Sequence, residues 1–211
     1  MNQYQVVEDF EEAMAEYCGS SYAVAVDSCT NAIKLSLVYN KLIQNYRYVT
    51  LPKHTYVGVA YSVLNVPAKC RFIDAKWRGD YPLITYGGLG VIDSARRLYN
   101  GCSALDGMAF RCLSFHETKH LPIGRGGMIL TNNGRAANML REMRFDGRTA
   151  GVPPKYDTFT YPAFHCHMKP DDAARGLMLM ANLADHNEDL PNSDYGDLSE
   201  HKIFTDGYSF T

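Results

Sequence analysis

The segment 114–127, SFHETKHLPIGRGG, places a lysine where it could form a covalent bond. Lys119 lies between two histidines, and Ser114 and His116 precede it by five and three residues. A lysine amine that is partly removed from water, or that lies next to other cations, becomes nucleophilic and can form a Schiff base with a carbonyl group. A solvated surface lysine is the alternative interpretation of this position, and other polar residues of the chain decide between the two.

Several of those polar residues follow short apolar runs that are typical of buried strands. They are Ser28 and Thr30 after residues 22–26, Thr55 and Tyr56 after 48–51, Asp93 at the end of 90–93, and Ser114 at the end of 108–114. Individually, such residues are most often helix caps or turn residues. In open α/β sheets, however, ligands bind at the carboxyl ends of strands. We therefore expect an anion site at a helix start, an aromatic ring, a carboxylate and an amine to share one edge of a sheet.

Strand-like and helical patterns alternate along the chain, which predicts an α/β fold: a three-layer, mainly parallel sheet with helices on both faces. Helices are predicted near residues 7–17, after Asp27, from a Thr55 cap to about Leu64, over 134–145 and over 170–185. One connection is unusual, because the apolar run 82–86 precedes the strand of Asp93 by only a few glycines. A parallel crossover needs about a dozen residues. These segments must form a hairpin, or the first has left the sheet.

Composition excludes several classes of protein. The net charge is −2 and the Lys and Arg residues are scattered, which argues against nucleic-acid binding. No run approaches the ~20 apolar residues of a membrane span, and the N-terminus lacks a signal-peptide pattern, so we expect a cytoplasmic protein. The six cysteines form no C-x-x-C pair, and we expect reduced thiols. The adjacent His165, Cys166 and His167 point to opposite faces of an extended segment, so we expect no metal.

Pyridoxal 5'-phosphate is a cofactor that this set of residues suits. Its phosphate needs backbone amides and hydroxyls at a helix N-terminus, and its ring needs a flat stacking partner. Its ring nitrogen stays protonated next to a buried carboxylate. Its aldehyde needs a lysine.

The chain also resembles the DegT/StrS-type family of pyridoxal-phosphate-dependent sugar aminotransferases of fold type I. The resemblance rests on five blocks in the family's order, namely VEDFEEAMAEYCGSSYAVAVDSCTNAIKLSL, LPKHTYVGVAYSVLNVPAKCRFID, VIDSARRL, SFHETKHLPIGRGGMILTNN and FHCHMKPDDAARGLMLMANL. It implies that Lys119 is the Schiff-base lysine and the general base, and that Asp93 is the partner of the pyridine nitrogen. It further implies that Tyr56 stacks on the cofactor ring. The backbone amides of Thr30 and Asn31 and the hydroxyl of Ser114 would bind the phosphate. His116 matches a family histidine near the lysine.

Three features depart from the family pattern. Arg96 stands where the family usually has a glutamine near the cofactor's ring hydroxyl. His165 stands where the family has an asparagine that reaches the phosphate of the neighbouring subunit. Family members are nearly twice this length and carry a C-terminal small domain, so the resemblance implies a minimal large domain over residues 1–187 and a short tail over 188–211, either a loose arm or a small extra element.

The resemblance thus implies an aminotransferase that moves an amino group from glutamate or glutamine to a keto sugar, often a nucleotide-linked one, through an internal aldimine at Lys119. It also implies a homodimer with a shared active site, to which His165 contributes. Two alternatives stay open. One is another pyridoxal-phosphate reaction, such as dehydration or decarboxylation, and the other is a binding protein that kept the fold and lost turnover.

Overall fold

A computed structural model describes residues 4–85, 90–103, 109–149 and 151–206. The strands are β1 (Tyr22–Val26), β2 (Tyr48–Pro52), β3 (Lys69–Ile73), β4 (Tyr81–Thr85), β5 (Val91–Asp93), β6 (Phe110–Ser114) and β7 (Gly127–Thr131). The helices are α1 (Gln5–Cys18), α2 (Cys29–Ile43), α3 (Val57–Leu64), α4 (Gly134–Met143), α5 (Pro170–Met180) and α6 (Lys202–Thr205), with single 3-10 turns at Pro154–Tyr156 and Leu198–Glu200. No helix in the described ranges is long and apolar enough to cross a membrane.

The strands form one mixed sheet in the order β1-β7-β6-β5-β4-β2-β3. Two neighbouring pairs, β2 with β3 and β5 with β6, are parallel, and the other four pairs are antiparallel. Five strands nevertheless run in one direction, because only β4 and β7 are reversed. The predicted α/β class with a mainly parallel sheet is confirmed in strand direction, although antiparallel contacts outnumber parallel ones.

The short connection before β5 forms a hairpin, which is one of the two alternatives that the sequence left open. β4 pairs antiparallel with β5, with Tyr81 opposite Asp93 and Leu83 opposite Val91. β4 also pairs antiparallel with β2 on its other side. The residues 86–89 that join the two strands lie outside the described residues, as does part of the predicted run 82–86. A reversed β4 therefore fills the position between β2 and β5 without a crossover helix.

Two hydrophobic cores lie on the two faces of the sheet. On one face α2, α3, α4 and α6 pack over residues such as Val24, Phe110 and Ile129. On the other face α1 and α5 pack over residues such as Ala25 and Met128. Successive strand residues point to opposite faces, so neighbouring positions divide between the two cores. The predicted three layers are confirmed.

One local expectation, the helix cap at Thr55, differs from the structure. Helix α3 begins at Val57 with Tyr56 in the N-cap position, so Thr55 does not cap it. The Thr55 hydroxyl contacts the Tyr81 hydroxyl instead, at 2.5 Å. Of the two alternatives left open for the tail, a small extra element fits residues 188–206, because Leu198 and Phe204 are buried in the core. Residues 207–211 lie outside the described residues.

A buried ion cluster covers the edge of the sheet at β1. Glu11 of α1 is 2% exposed and accepts hydrogen bonds from the Ala25 amide at 2.8 Å and from Arg141 Nε at 3.0 Å. Arg144 Nη1 also donates to Glu11 and to the Ala25 carbonyl, and Arg141 Nη2 donates to the Ala23 carbonyl at 3.0 Å. Outward-facing backbone groups of an edge strand are a template for aggregation unless they are satisfied. The cluster satisfies them and links α1 to α4.

We expect the Glu11→Ala variant to unfold at lower urea concentration, with a loss of about 3 kcal/mol in the free energy of unfolding, because it leaves a half-buried arginine without its partner. Urea denaturation followed by circular dichroism measures this. Glu16→Ala, on the exposed face of the same helix, serves as the control and should change stability by less than about 0.5 kcal/mol. Equal losses in both variants would contradict the role of the cluster.

Candidate functional site

A cavity of about 430 Å³ opens at the carboxyl ends of the five like-directed strands. Its volume is within the usual range for a small-molecule site. Seven of the predicted site residues line it: Thr30, Tyr56, Asp93, Arg96, Ser114, His116 and Lys119. They come from the loops after β1, β2, β5 and β6, which the sheet order brings to one edge. Asn31 and His165 are not among the lining residues.

Asp93 is a buried carboxylate, 6% exposed, at the end of β5. Its Oδ2 accepts a hydrogen bond from the Tyr81 hydroxyl at 2.7 Å, and its Oδ1 accepts one from the Ala95 amide at 2.9 Å. Burial raises the pKa of Asp93, while the Tyr81 hydrogen bond, the Ala95 amide and the charges of Lys119 and Arg96 oppose that rise. The position can thus present a negative charge to a cation in the cavity.

Lys119 lies in a tight loop whose backbone is folded back on itself. The Lys119 amide donates to the His116 carbonyl at 2.9 Å, and the Phe115 amide donates to the Gly126 carbonyl at 3.0 Å. Burial lowers the pKa of Lys119, and the nearby positive charge of Arg96 lowers it further, against smaller opposing effects that include the charge of Asp93. A neutral amine is the nucleophilic form. The lysine of the opening motif is therefore half-buried next to another cation rather than solvated.

The N-terminus of α2 lines the cavity with Ser28, Cys29 and Thr30. Ser28 is the N-cap, and its hydroxyl accepts from the Asn31 amide at 3.2 Å. The Asn31 side chain donates to Asp27 Oδ1 at 2.6 Å. Both Asn31 groups are thus engaged within the helix start. The Cys29 and Thr30 amides and the Thr30 and Ser114 hydroxyls remain as the groups available to an anion.

A carboxylate lies close to this helix start. Asp27 accepts from Ser28 Oγ at 3.0 Å and from Arg125 Nη2 at 2.8 Å, in addition to Asn31. An uncompensated carboxylate would repel a phosphate, but the guanidinium of Arg125 offsets its charge, and Arg125 also lines the cavity. The helix start therefore keeps the electrostatic character that an anion requires.

Two glycines allow the cavity walls to approach closely. A Cβ atom on Gly127 would lie 2.5 Å from the Ser28 carbonyl carbon and the Cys29 amide nitrogen. One on Gly58 would lie 2.7 Å from the Tyr56 ring and 2.9 Å from Thr30 Oγ1. The two glycines let β7 and α3 pack against the N-terminus of α2. A larger residue at either position would displace that helix N-terminus.

Arg96 lines the cavity, and its guanidinium is bound to the segment after Asn187. Its Nη1 donates to the Pro191 carbonyl, and its Nη2 donates to Ser193 Oγ and, at 3.2 Å, to the Tyr195 hydroxyl. Among the described residues, its buried Nε has no hydrogen-bond partner. The guanidinium is thus held mainly by the C-terminal segment while it lines the cavity.

His165 lies outside the cavity of its own chain. Its side chain is 72% exposed, and its Nδ1 lies 2.6 Å from Asp146 Oδ2. Its ring also contacts His167 edge to face. In the part of the chain that the structure describes, no group of three or more His, Cys, Asp or Glu side chains could hold a metal ion. An exposed histidine of this kind is accessible to a neighbouring molecule.

Sequence reasoning missed four residues that shape the site: Trp77, Tyr81, Ser193 and Tyr195. Trp77, Ser193 and Tyr195 line the cavity, and Tyr81 is the hydrogen-bond partner of Asp93. The hairpin alternative could have indicated Tyr81, because a short reversed β4 places it opposite Asp93. The polar, aperiodic tail carries no comparable indication of Ser193 or Tyr195.

The residues present fit pyridoxal 5'-phosphate. The cavity combines a buried carboxylate for a cationic ring nitrogen, a half-buried amine for an aldehyde, and a helix N-terminus for a phosphate. The Arg96 guanidinium adds a positive charge at the cavity wall. Cys29, which also lines the cavity, has its pKa raised well above the ordinary value by burial and by Asp93, so it remains a neutral thiol.

Comparison with known proteins supports the same conclusion. Residues 1–79 and 98–189 match the model of the DegT/DnrJ/EryC1/StrS aminotransferase family. GDP-perosamine synthase of Caulobacter vibrioides is 25% identical over 84% of this chain and 57% of its own length. UDP-4-amino-4,6-dideoxy-N-acetyl-beta-L-altrosamine transaminase of Campylobacter jejuni is 25% identical over 67% of this chain and 47% of its own. The chain thus spans about half the length of these relatives.

Solved structures show the same fold. A DegT DnrJ EryC1 StrS aminotransferase from Brucella abortus superimposes with a TM-score of 0.66 and 21% identity, covering 85% of this chain and 59% of that one. The sugar aminotransferase CalS13 from Micromonospora echinospora gives a TM-score of 0.70 at 14% identity, covering 84% and 60%. The resemblance identified from the sequence blocks is confirmed: the chain belongs to the DegT/DnrJ/EryC1/StrS aminotransferase family, whose members are pyridoxal-phosphate-dependent enzymes.

Proposed function

We propose that this chain binds pyridoxal 5'-phosphate through Lys119 and transfers an amino group from glutamate or glutamine to a keto sugar, as its family membership suggests. The observation that carries the proposal is that Lys119 and Asp93 line one cavity with the N-terminus of α2. A carboxylate, an amine and an anion site are the three groups that this cofactor requires.

The roles of the residues follow from their surroundings. When bound, pyridoxal phosphate supplies a carbonyl carbon and an electron sink for the chemistry of amines. Asp93, with Tyr81 fixing its orientation, would hold a positive charge on the ring nitrogen. Lys119 would hold the cofactor through its Nζ, and this amine would accept and return a proton because its pKa is lowered. The Thr30 and Ser114 hydroxyls would bind the phosphate.

The acceptor of the amino group is proposed from the relatives. The two curated relatives are named for a GDP-linked and a UDP-linked amino sugar, which supports a nucleotide-linked keto sugar. A binding protein that kept the fold without turnover is the second candidate. The observation that favours it is the engagement of Arg96 with the tail rather than with the open cavity.

Removing the amine of Lys119 should abolish covalent attachment of the cofactor. We expect purified protein mixed with pyridoxal phosphate to absorb near the boundary between ultraviolet and visible light. Borohydride reduction should fix the cofactor to Lys119, in a peptide that mass spectrometry detects. Lys119→Ala should lose both signals. Lys155→Ala, at an exposed position outside the cavity, should retain them. Attachment that persists in Lys119→Ala would contradict the assignment, and attachment without a spectral change on any amino donor would favour the binding protein.

The lowered pKa of Lys119 predicts a specific pH dependence. A lysine with a lowered pKa loses its proton at lower pH than an ordinary lysine, so it reacts with acetic anhydride at lower pH. Competitive labelling with mass spectrometry measures this midpoint without cofactor. We expect Arg96→Gln to raise the midpoint, because it removes a neighbouring positive charge.

The control for this measurement is Arg97→Gln. Arg97 binds Asp189 of the same tail, at 2.6 Å, but does not line the cavity. The Arg97→Gln substitution should leave the labelling midpoint of Lys119 unchanged. Equal shifts in the two variants would show that loosening of the tail, rather than the charge of Arg96, sets the pKa of the lysine.

The proposal includes a homodimer, because His165 is exposed and its imidazole lies outside the cavity of its own chain. We expect sedimentation velocity of the pyridoxal-phosphate-loaded protein to give the mass of two chains. A monomer that binds the cofactor with its full absorbance spectrum would contradict the shared site.

We expect His165→Ala to weaken cofactor retention. His201→Ala, at another exposed histidine, is the control.

A further inference from the structure

A segment near the C-terminus, residues 185–199, crosses the mouth of the cavity, and we call it the C-terminal strap. At its start the Asn100 amide donates to the Asp185 carbonyl at 2.8 Å, and Arg97 pairs with Asp189. At its end Lys53 pairs with Asp197 at 3.1 Å, and the Leu198 amide donates to the Lys53 carbonyl at 2.9 Å. Fixed at both ends, the strap is held over the site.

The middle of the strap forms part of the cavity lining. The Tyr195 ring stacks on Trp77 with the ring centroids 6.3 Å apart and the planes 19° apart. The Tyr195 carbonyl lies 3.0 Å from His54 Nδ1, and Trp77 Nε1 donates to the His54 carbonyl at 2.9 Å. Arg96 donates to the Ser193 and Tyr195 hydroxyls. The two rings are therefore fixed by contacts on both sides rather than left to rotate.

We propose that the C-terminal strap forms the acceptor-binding wall of this site, with Tyr195 as a specificity-determining residue that packs its ring, beside Trp77, against the sugar ring of the acceptor. The inference rests on the proposed function and adds the residues that recognise the acceptor. Neither aromatic ring belongs to the set that the cofactor chemistry requires, since carboxylate, amine, phosphate site and the Tyr56 ring come from other elements.

The chemistry of the wall matches a sugar ring. A pyranose presents carbon-bound hydrogens on its faces, which pack well on an aromatic ring, and hydroxyl groups at its edge, which need polar partners. The Ser193 and Thr118 hydroxyls, which also line the cavity, are such partners. An apolar surface with a few placed polar groups is the usual form of a small-molecule site, and a tyrosine provides both in one side chain.

Trp77 is the only tryptophan of the chain, so its fluorescence reports directly on this wall. The experiment titrates UDP-N-acetylglucosamine and GDP-mannose, with UDP and GDP as matched nucleotide controls, into protein with and without pyridoxal phosphate. We expect a saturable change in Trp77 emission with at least one sugar nucleotide, and a lower affinity for the corresponding nucleotide. Equal affinity for the nucleotide alone would overturn the assignment to a sugar ring, as would the absence of a saturable change with both sugar nucleotides.

Substitutions then test Tyr195. Tyr195→Ala should raise the dissociation constant of the sugar nucleotide about tenfold, equivalent to about 1.4 kcal/mol, while Tyr195→Phe, which keeps the ring, should stay within about threefold of wild type. Tyr156→Ala, 67% exposed and outside the cavity, should change nothing. A loss in Tyr195→Ala that is matched by Tyr156→Ala, or no loss at all, would overturn the proposal.

Cofactor loading separates this inference from the proposed function. Absorbance and borohydride trapping should be unchanged in Tyr195→Ala, because the cofactor groups lie elsewhere. If wild-type protein binds no pyridoxal phosphate, the proposed function is wrong. The titration without cofactor still tests whether the strap binds a sugar nucleotide. If Tyr195→Ala loses cofactor but keeps its urea midpoint, the ring belongs to the cofactor site, and the acceptor assignment is wrong.

Discussion

The buried carboxylate of Asp93 is the constraint on which the rest of the site depends. Taking a charged group out of water is costly unless hydrogen bonds and opposite charges compensate. The Tyr81 hydroxyl and the Ala95 amide supply the hydrogen bonds. Lys119 and Arg96 supply positive charge, and both favour ionised Asp93 against the effect of burial. Because Arg96 also lies near Lys119, burial and this second charge hold the lysine pKa below its ordinary value despite the presence of Asp93.

The hairpin of β4 and β5 makes this arrangement possible in a short segment. Pairing Tyr81 opposite Asp93 puts a phenol in contact with the carboxylate, and the Thr55 hydroxyl donates to the phenol oxygen in turn, because the one proton of Tyr81 goes to Asp93. The family model leaves residues 80–97 unmatched, between its two matched ranges. The positions of Asp93 and Arg96 in the cavity are therefore supported by the geometry of this chain rather than by the family match.

The sequence allowed the layers and much of the site to be predicted, because both depend on local patterns. Short apolar runs predicted the strands, and polar residues at or after their ends placed Thr30, Asp93 and Lys119 at one edge. Thr55 was assigned wrongly because a threonine before a helix is a frequent cap, whereas here a distant hydroxyl on Tyr81 competes for it. The contacts of the strap join residues almost a hundred positions apart, such as Arg96 and Ser193, and no periodicity within the tail encodes them.

Arg96 contacts the strap and also affects the charge state of Lys119. The guanidinium that lowers the pKa of Lys119 also donates to the backbone and side chains of the strap. A glutamine at this position could donate a hydrogen bond to a ligand but would bring no charge and fewer donors. The arginine can bridge Pro191 and Tyr195 at once because its donors are arranged in a rigid, planar fork. The same side chain therefore fixes the strap over the cavity and lowers the pKa of Lys119.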